Sequence, residues 1–97
     1  MMKIEFTWDD GKNRSNRKKH GVSFEEAQTV FYDDYARLIY DPDHSKSEDR
    51  FVLLGTSARL RVLVICYSYR QKGAVIRIIS ARKAARNERR QYEEHLP

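Results

Sequence analysis

The chain has one cysteine, Cys66, three histidines, and no apolar run longer than Val62 to Tyr67. A single cysteine closes no intrachain disulfide, so a reducing cytoplasm is the expected compartment. Set inside the apolar run, Cys66 reads as a small buried hydrophobe. That run is far too short to span a bilayer. The N-terminus lacks an apolar h-region, so no secretory signal is expected. The histidines and the cysteine show no ligand spacing, so neither a metal nor another cofactor is expected. Asp41, Asp43, Glu48 and Asp49 could meet a hard cation, but they lack the pattern of a calcium loop. There is no glycine-rich phosphate loop, no nucleophile elbow and no zinc signature. Internal repeats, linkers and low-complexity stretches are missing too.

What is present is charge, and it is segregated. Ninety-seven residues suffice for one domain, taken as 1–97, with one modest core. Charged residues make up 34% of the chain and the net charge is +5. Residues 59–90 hold ten Lys or Arg against Glu88 alone, a net of +9. Residues 10–19 carry +4, and residues 25–49 carry −6. A uniformly solvated surface would intersperse the signs. Basic terminal thirds suit a polyanion, while the acidic middle suits a basic partner or internal balance.

Lys3 to Trp8 alternates, with Ile4, Phe6 and Trp8 on one face, and reads as a half-buried strand. Asp9 or Asp10 caps a helix running to about His20, with Gly21 as its left-handed stop. This helix has almost no apolar residue, so no hydrophobic stripe can hold it. Ser23-Phe24-Glu25-Glu26 has the form of a capping box, Ser23 bonding forward and Glu26 back, and opens a second helix ending near Asp33. Strands are predicted over Tyr35–Tyr40, Arg50–Thr56 and Leu60–Tyr69, with a loop at Asp41–Ser45. Lys72-Gly73 reads as a tight turn into a strand from Ala74 to Ser80, pairing Ser68 with Arg77 and Arg70 with Val75. Ala81, Ala85, Glu88 and Tyr92 then recur at helical spacing. The expected fold is α+β: an antiparallel sheet of four to five strands, two N-terminal helices and a C-terminal helix.

The stretch Arg77-Ile78-Ile79-Ser80-Ala81-Arg82-Lys83-Ala84 thus runs a strand straight into a basic helix. Free N–H groups at a helix start favour anions, and two arginines flank this one. Arg77, among β-branched residues, needs water, a phosphate or a carboxylate such as Glu88; both a phosphate contact and an internal ion pair fit. His20, beside Lys18 and Lys19, could act as a general base on a ribose 2′-OH, or could merely interact with its helix dipole. His44 and His95 read as bland. Tyr35, Tyr40, Tyr67 and Tyr69 could stack bases, though tyrosine on strands more often packs.

Taken together, Phe6-Thr7-Trp8-Asp9, the block Asn16-Arg17-Lys18-Lys19-His20-Gly21-Val22-Ser23-Phe24-Glu25-Glu26-Ala27, Phe31-Tyr32-Asp33, Glu48-Asp49-Arg50-Phe51 with Gly55, and the Arg77–Ala84 stretch followed by Glu88-Arg89-Arg90-Gln91-Tyr92 resemble the BrnT toxins of bacterial type II toxin–antitoxin systems. The likeness covers nearly the whole chain. It departs from the common pattern after Trp8-Asp9, where proline is frequent and this chain has Asp10-Gly11, a change in capping rather than chemistry. The resemblance implies a RelE-like fold and a ribonuclease toxin that halts translation. It also implies a BrnA-type antitoxin with a DNA-binding ribbon-helix-helix region, the complex repressing its own operon. The combined reading is a metal-independent endoribonuclease with His20 as base, Arg77 and Arg82 stabilising the phosphorane, and Lys19, Arg61 and Arg70 holding RNA phosphate. The alternative is a non-catalytic nucleic-acid-binding module or a co-repressor acting with a DNA-binding partner.

Overall fold

A computed structural model describes residues 3–40 and 50–97. The loop expected at Asp41–Ser45, with His44 and the acids at 41, 43, 48 and 49, lies outside the described residues. Strand β1 (Glu5–Thr7) leads into α1 (Asp10–His20) and α2 (Phe24–Thr29), and a 3-10 turn follows at Val30–Tyr32. Then come β2 (Arg37–Leu38), β3 (Arg50–Thr56), β4 (Val62–Arg70), β5 (Val75–Lys83) and α3 (Arg86–Glu94). The strands form one sheet in the order β1-β5-β4-β3-β2.

The expected purely antiparallel sheet is corrected to a mixed one. β1 runs parallel to β5, Phe6 opposite Ile76 and Thr7 opposite Arg77. Alternating apolar residues report which face a strand buries but not its neighbour or that neighbour's direction. The strand expected over Tyr35–Tyr40 shrinks to Arg37–Leu38. The β4–β5 pairing is as expected, Ser68 opposite Arg77 and Arg70 opposite Val75. The link is a short 3-10 turn, Gln71–Gly73, with all three residues at positive φ.

One face of the sheet carries the larger core. Val22, Phe24, Ala27 and Val30 from the helical layer meet Leu63, Ile65, Tyr67, Ile76, Ile78 and Ala81. On the other face Tyr92 of α3 covers Val52, Leu54 and Val64. Burying these side chains is the main favourable term in the fold. Helix α1 contributes almost nothing apolar and is held by amides instead. The Asn16 side chain donates to Val22 O at 2.8 Å and to Ala81 O at 2.7 Å, and accepts from Ala81 N–H at 3.2 Å. It pairs with the open edge of β5 as a strand residue would. Asn13 accepts from Phe24 N–H at 2.8 Å and donates to Glu25.

The caps follow the sequence in part. Asp9 accepts from Lys12 N–H, Gly21 sits at φ 70°, and Ser23 accepts from Glu26 N–H. The Glu26 carboxylate does not close a capping box. It is drawn to Ser57 and Arg61. Gly55 is required by close approach, since a Cβ there would lie 2.8 Å from Val30, 2.9 Å from Ala36 and 3.1 Å from Asp33.

The helix expected from Ala81 is also corrected. β5 continues to Lys83, with Ala81, Arg82 and Lys83 paired to Ile65, Val64 and Leu63. Ladder hydrogen bonds and burial of Ala81 outweigh the helix propensity of Ala-Arg-Lys-Ala. α3 begins only at Arg86, and Glu88 accepts from Ala85 N–H at 2.8 Å. So the anion-binding helix start proposed between Arg77 and Arg82 does not exist, and a carboxylate fills the true one.

Candidate nucleic-acid interface

Alternation along the strands puts Ser68 and Arg70 of β4 and Arg77 of β5 on the face that α3 only partly covers. A bulge extends that pattern. Cys66 faces Ser80 while Tyr67 faces Ile78, leaving Ile79 as the extra residue. Arg77 and Arg82 are five apart and would point to opposite faces of a regular strand. The extra residue brings both to one face.

A cavity of about 310 Å³ opens there, lined by Lys12, Arg50, Ser68, Tyr69, Arg70, Arg77 and Ile79. Four cations thus come from three strands and the first turn of α1. Arg77 is half-buried and the other three cations are exposed. Among the described residues no hydrogen bond or ion pair joins Arg50, Arg70 or Arg77 to a carboxylate. Asp9 feels Arg77, but its carboxylate is engaged by Lys12 N–H, which holds it below the usual range, more than Arg77 does. Uncompensated cations around a concavity repel one another. An anion relieves that repulsion, and guanidinium forks match phosphate oxygens two at a time.

The remaining sequence-predicted residues fall in different places. Arg82 shares the face but pairs with Glu88 through both carboxylate oxygens, at 2.7 and 2.9 Å. The carboxylate partner considered for Arg77 is therefore taken by Arg82. Arg61 is turned to the opposite side of the sheet. Its guanidinium binds Glu26 and Gly21 O. The Arg61 hydrogen bonds hold the Glu26 carboxyl below its ordinary value against the opposing effect of burial. Lys19 and His20 lie at the far end of α1, exposed and half-buried respectively. His20 is eight residues beyond Lys12, about 12 Å at about 1.5 Å per residue, and does not line the cavity. Lys12 and Lys19, seven apart, share one side of the helix. Tyr67 is buried and packs edge-on against Phe31, and burial, then the Tyr69 hydroxyl, pushes its phenol up.

Lys12 and Arg50 escaped the sequence reading. Arg50 follows from register, since it pairs with Ser68. No local pattern announces Lys12, which reaches the cavity because α1 packs against β5.

Fold and site together define a small α+β protein with a cation-lined cavity at its sheet face. The profile of the ribonuclease toxin BrnT of type II toxin–antitoxin systems matches residues 8–88, and the chain belongs to that family. The crystal structure of the Brucella abortus ribonuclease toxin BrnT is similar in fold. Its TM-score is 0.66 at 20% identity, covering 87% of this chain and all of that one. No curated protein sequence matches the chain.

Proposed function

We propose that this ribonuclease-family toxin cuts RNA without a metal, in the Arg50–Arg70–Arg77–Lys12 cavity. The carrying observation is that cavity: four cations around a space of about 310 Å³, with no carboxylate neutralising its three arginines among the described residues. Such a lining repels a divalent cation and attracts a phosphodiester. Attack of a 2′-OH on the adjacent phosphorus expels the 5′-oxygen and leaves a 2′,3′-cyclic phosphate. Negative charge grows on the phosphorane oxygens, where Arg77 stabilises it, with Arg50, Arg70 and Lys12 holding flanking phosphates. Arg82 joins them through the face it shares. His20 does not line that cavity, so a water takes the 2′-OH proton there, while His20 and Lys19 contact a strand running along α1 from Lys12.

In this reading the substrate is cellular RNA, its cleavage halts translation in the cytoplasm, and the fold is of RelE type. A BrnA-like ribbon-helix-helix antitoxin neutralises the toxin. Among the described residues no helix is long and apolar enough to cross a membrane. The test is cleavage of single-stranded RNA by the purified protein, with and without EDTA, with the ends mapped. Cyclic-phosphate ends and full activity in EDTA are expected, with at least about a hundredfold loss in Arg77→Ala. Loss of activity in EDTA, 3′-hydroxyl ends, or an active folded Arg77→Ala protein would each overturn it.

A further inference from the structure

Among the described residues the buried polar or charged side chains are Asn13, Asn16, Glu26, Ser57 and Ser68. The fold itself uses the first four. Asn13 and Asn16 dock α1, and Glu26 binds Ser57 and Arg61. Ser68 is the exception. It is 6% exposed, and among the described residues no hydrogen bond reaches its hydroxyl. A buried hydroxyl without a protein partner adds nothing to stability, so packing gives no reason for a serine here. The same face of β4 carries Val62, Val64 and Cys66, and a valine at 68 would continue that row and suit the strand. Ser68 instead lines the basic cavity.

Register puts it there. Ser68 lies directly opposite Arg50 of β3 on one side and Arg77 of β5 on the other, so the three form one row across three strands. Neighbours in such a row have Cβ atoms about 5 Å apart. A short side chain between two long ones leaves a notch, with the hydroxyl at its floor and an arginine on each wall. A carboxylate holds its oxygens in one plane and meets one wall. A tetrahedral phosphate directs oxygens to a wall and to the floor at once. Guanidinium N–H groups take the first, and a hydroxyl donates to the second. We infer that Ser68 seats the scissile phosphate of the RNA, its Oγ–H donating to a non-bridging oxygen beside Arg77. Arg50, on the other wall, reaches the next phosphate. The proton stays on Ser68 throughout, and the hydrogen bond strengthens as charge grows on that oxygen in the phosphorane.

This inference rests on the nuclease reading of the cavity and adds the residue that fixes which phosphate is attacked. The test measures RNA cleavage, binding of inorganic phosphate and urea stability in wild type, Ser68→Ala and Ser68→Thr. Ser68→Ala should keep the wild-type urea midpoint, because no group of the protein loses a partner. Its kcat should fall about ten- to a hundredfold with KM near wild type, as expected when a hydrogen bond to a charged group that tightens in the transition state is removed. Inorganic phosphate should bind it about tenfold more weakly. Ser68→Thr keeps the hydroxyl and should restore both kcat and phosphate binding. Wild-type kcat in Ser68→Ala would overturn the inference and leave the nuclease reading standing. So would a raised KM at unchanged kcat, which would move Ser68 to a flanking phosphate. A strongly lowered urea midpoint would also overturn it, by making the hydroxyl structural. A wild-type protein that cuts no RNA would sink the nuclease reading. Phosphate binding then decides Ser68 separately: weaker binding in Ser68→Ala upholds it as the anion seat, and unchanged binding rejects it.

Discussion

Arg61, just before β4, and Arg77 of β5 belong to one hairpin, and their surroundings give them opposite tasks. Arg77 faces other cations around a cavity. Arg61 faces Glu26, whose side chain is 4% exposed against 27% for Arg61. Glu26 also accepts from Ser57 Oγ at 2.7 Å. Removing Arg61 leaves a buried carboxylate without its main partner, and such uncompensated charges cost about 3 kcal/mol or more. Arg61→Ala should therefore shift the urea midpoint strongly downward. The RNA affinity of the protein that stays folded should remain near wild type, read by titration below the unfolding transition. A folded Arg61→Ala protein of unchanged stability that fails to bind RNA would return Arg61 to the phosphate contacts.

At the scale of elements, α1 is the unusual piece. It displays Lys12, Arg14, Arg17, Lys18 and Lys19 to solvent and docks through two asparagines. A hydrophobic stripe would have taken up positions that these cations occupy. The Asn16 amide replaces a neighbouring strand at the edge of β5 with three hydrogen bonds. Asn16→Ala leaves Ala81 N–H, Ala81 O and Val22 O without those partners, a loss of about 1–3 kcal/mol. Thermal unfolding should record a drop of several degrees for a domain of this size. Because Lys12 and Lys19 ride on the same helix, RNA affinity should fall too, though neither lysine is altered. Unchanged stability in Asn16→Ala would mean that α1 is held by something else.

For the whole molecule, acid and salt act on separate charge systems. Burial raises the Asp33 carboxyl, but Thr56 N–H, the Tyr92 hydroxyl and Tyr35 N–H together bring it below its ordinary 3.8. Glu26 is likewise lowered from 4.5. Both groups bind protons more tightly in the unfolded chain, so their contribution is complete above those ordinary values. It is lost as pH falls through the folded values. Urea midpoints should be flat for these groups above about pH 5 and decline below about pH 4.5. Asp33→Asn and Glu26→Gln should flatten that acid limb. RNA binding, by contrast, should weaken steeply with salt, by about 0.7 log units per tenfold salt for each phosphate neutralised. Lys12→Gln should reduce that slope by about one phosphate's worth, and an unchanged slope would remove Lys12 from the RNA contact.

Local chemistry determined much of this protein. Asp9, Gly21 and Ser23 bound the first two helices from sequence, because caps act within a few residues. The alternation in β3, β4 and early β5 was legible, and with it the grouping of Ser68, Arg70 and Arg77 on one face. So was the family, through the Lys19-His20-Gly21 and Ile78-Ile79-Ser80-Ala81-Arg82 blocks. What only the tertiary structure decided depends on residues distant in the chain. Parallel pairing of β1 with β5 joins positions about seventy residues apart, and alternation is blind to it. Extension of β5 to Lys83 requires the β4 ladder, without which Ala81–Ala84 has the composition of a helix. The bulge at Ile79 sets which way Arg82 points, and no residue type there announces it. Glu88 selects Arg82 rather than Arg77 because α3 starts late. Lys12 and Arg50 reach the cavity through packing and register, which is why spacing along the chain showed neither.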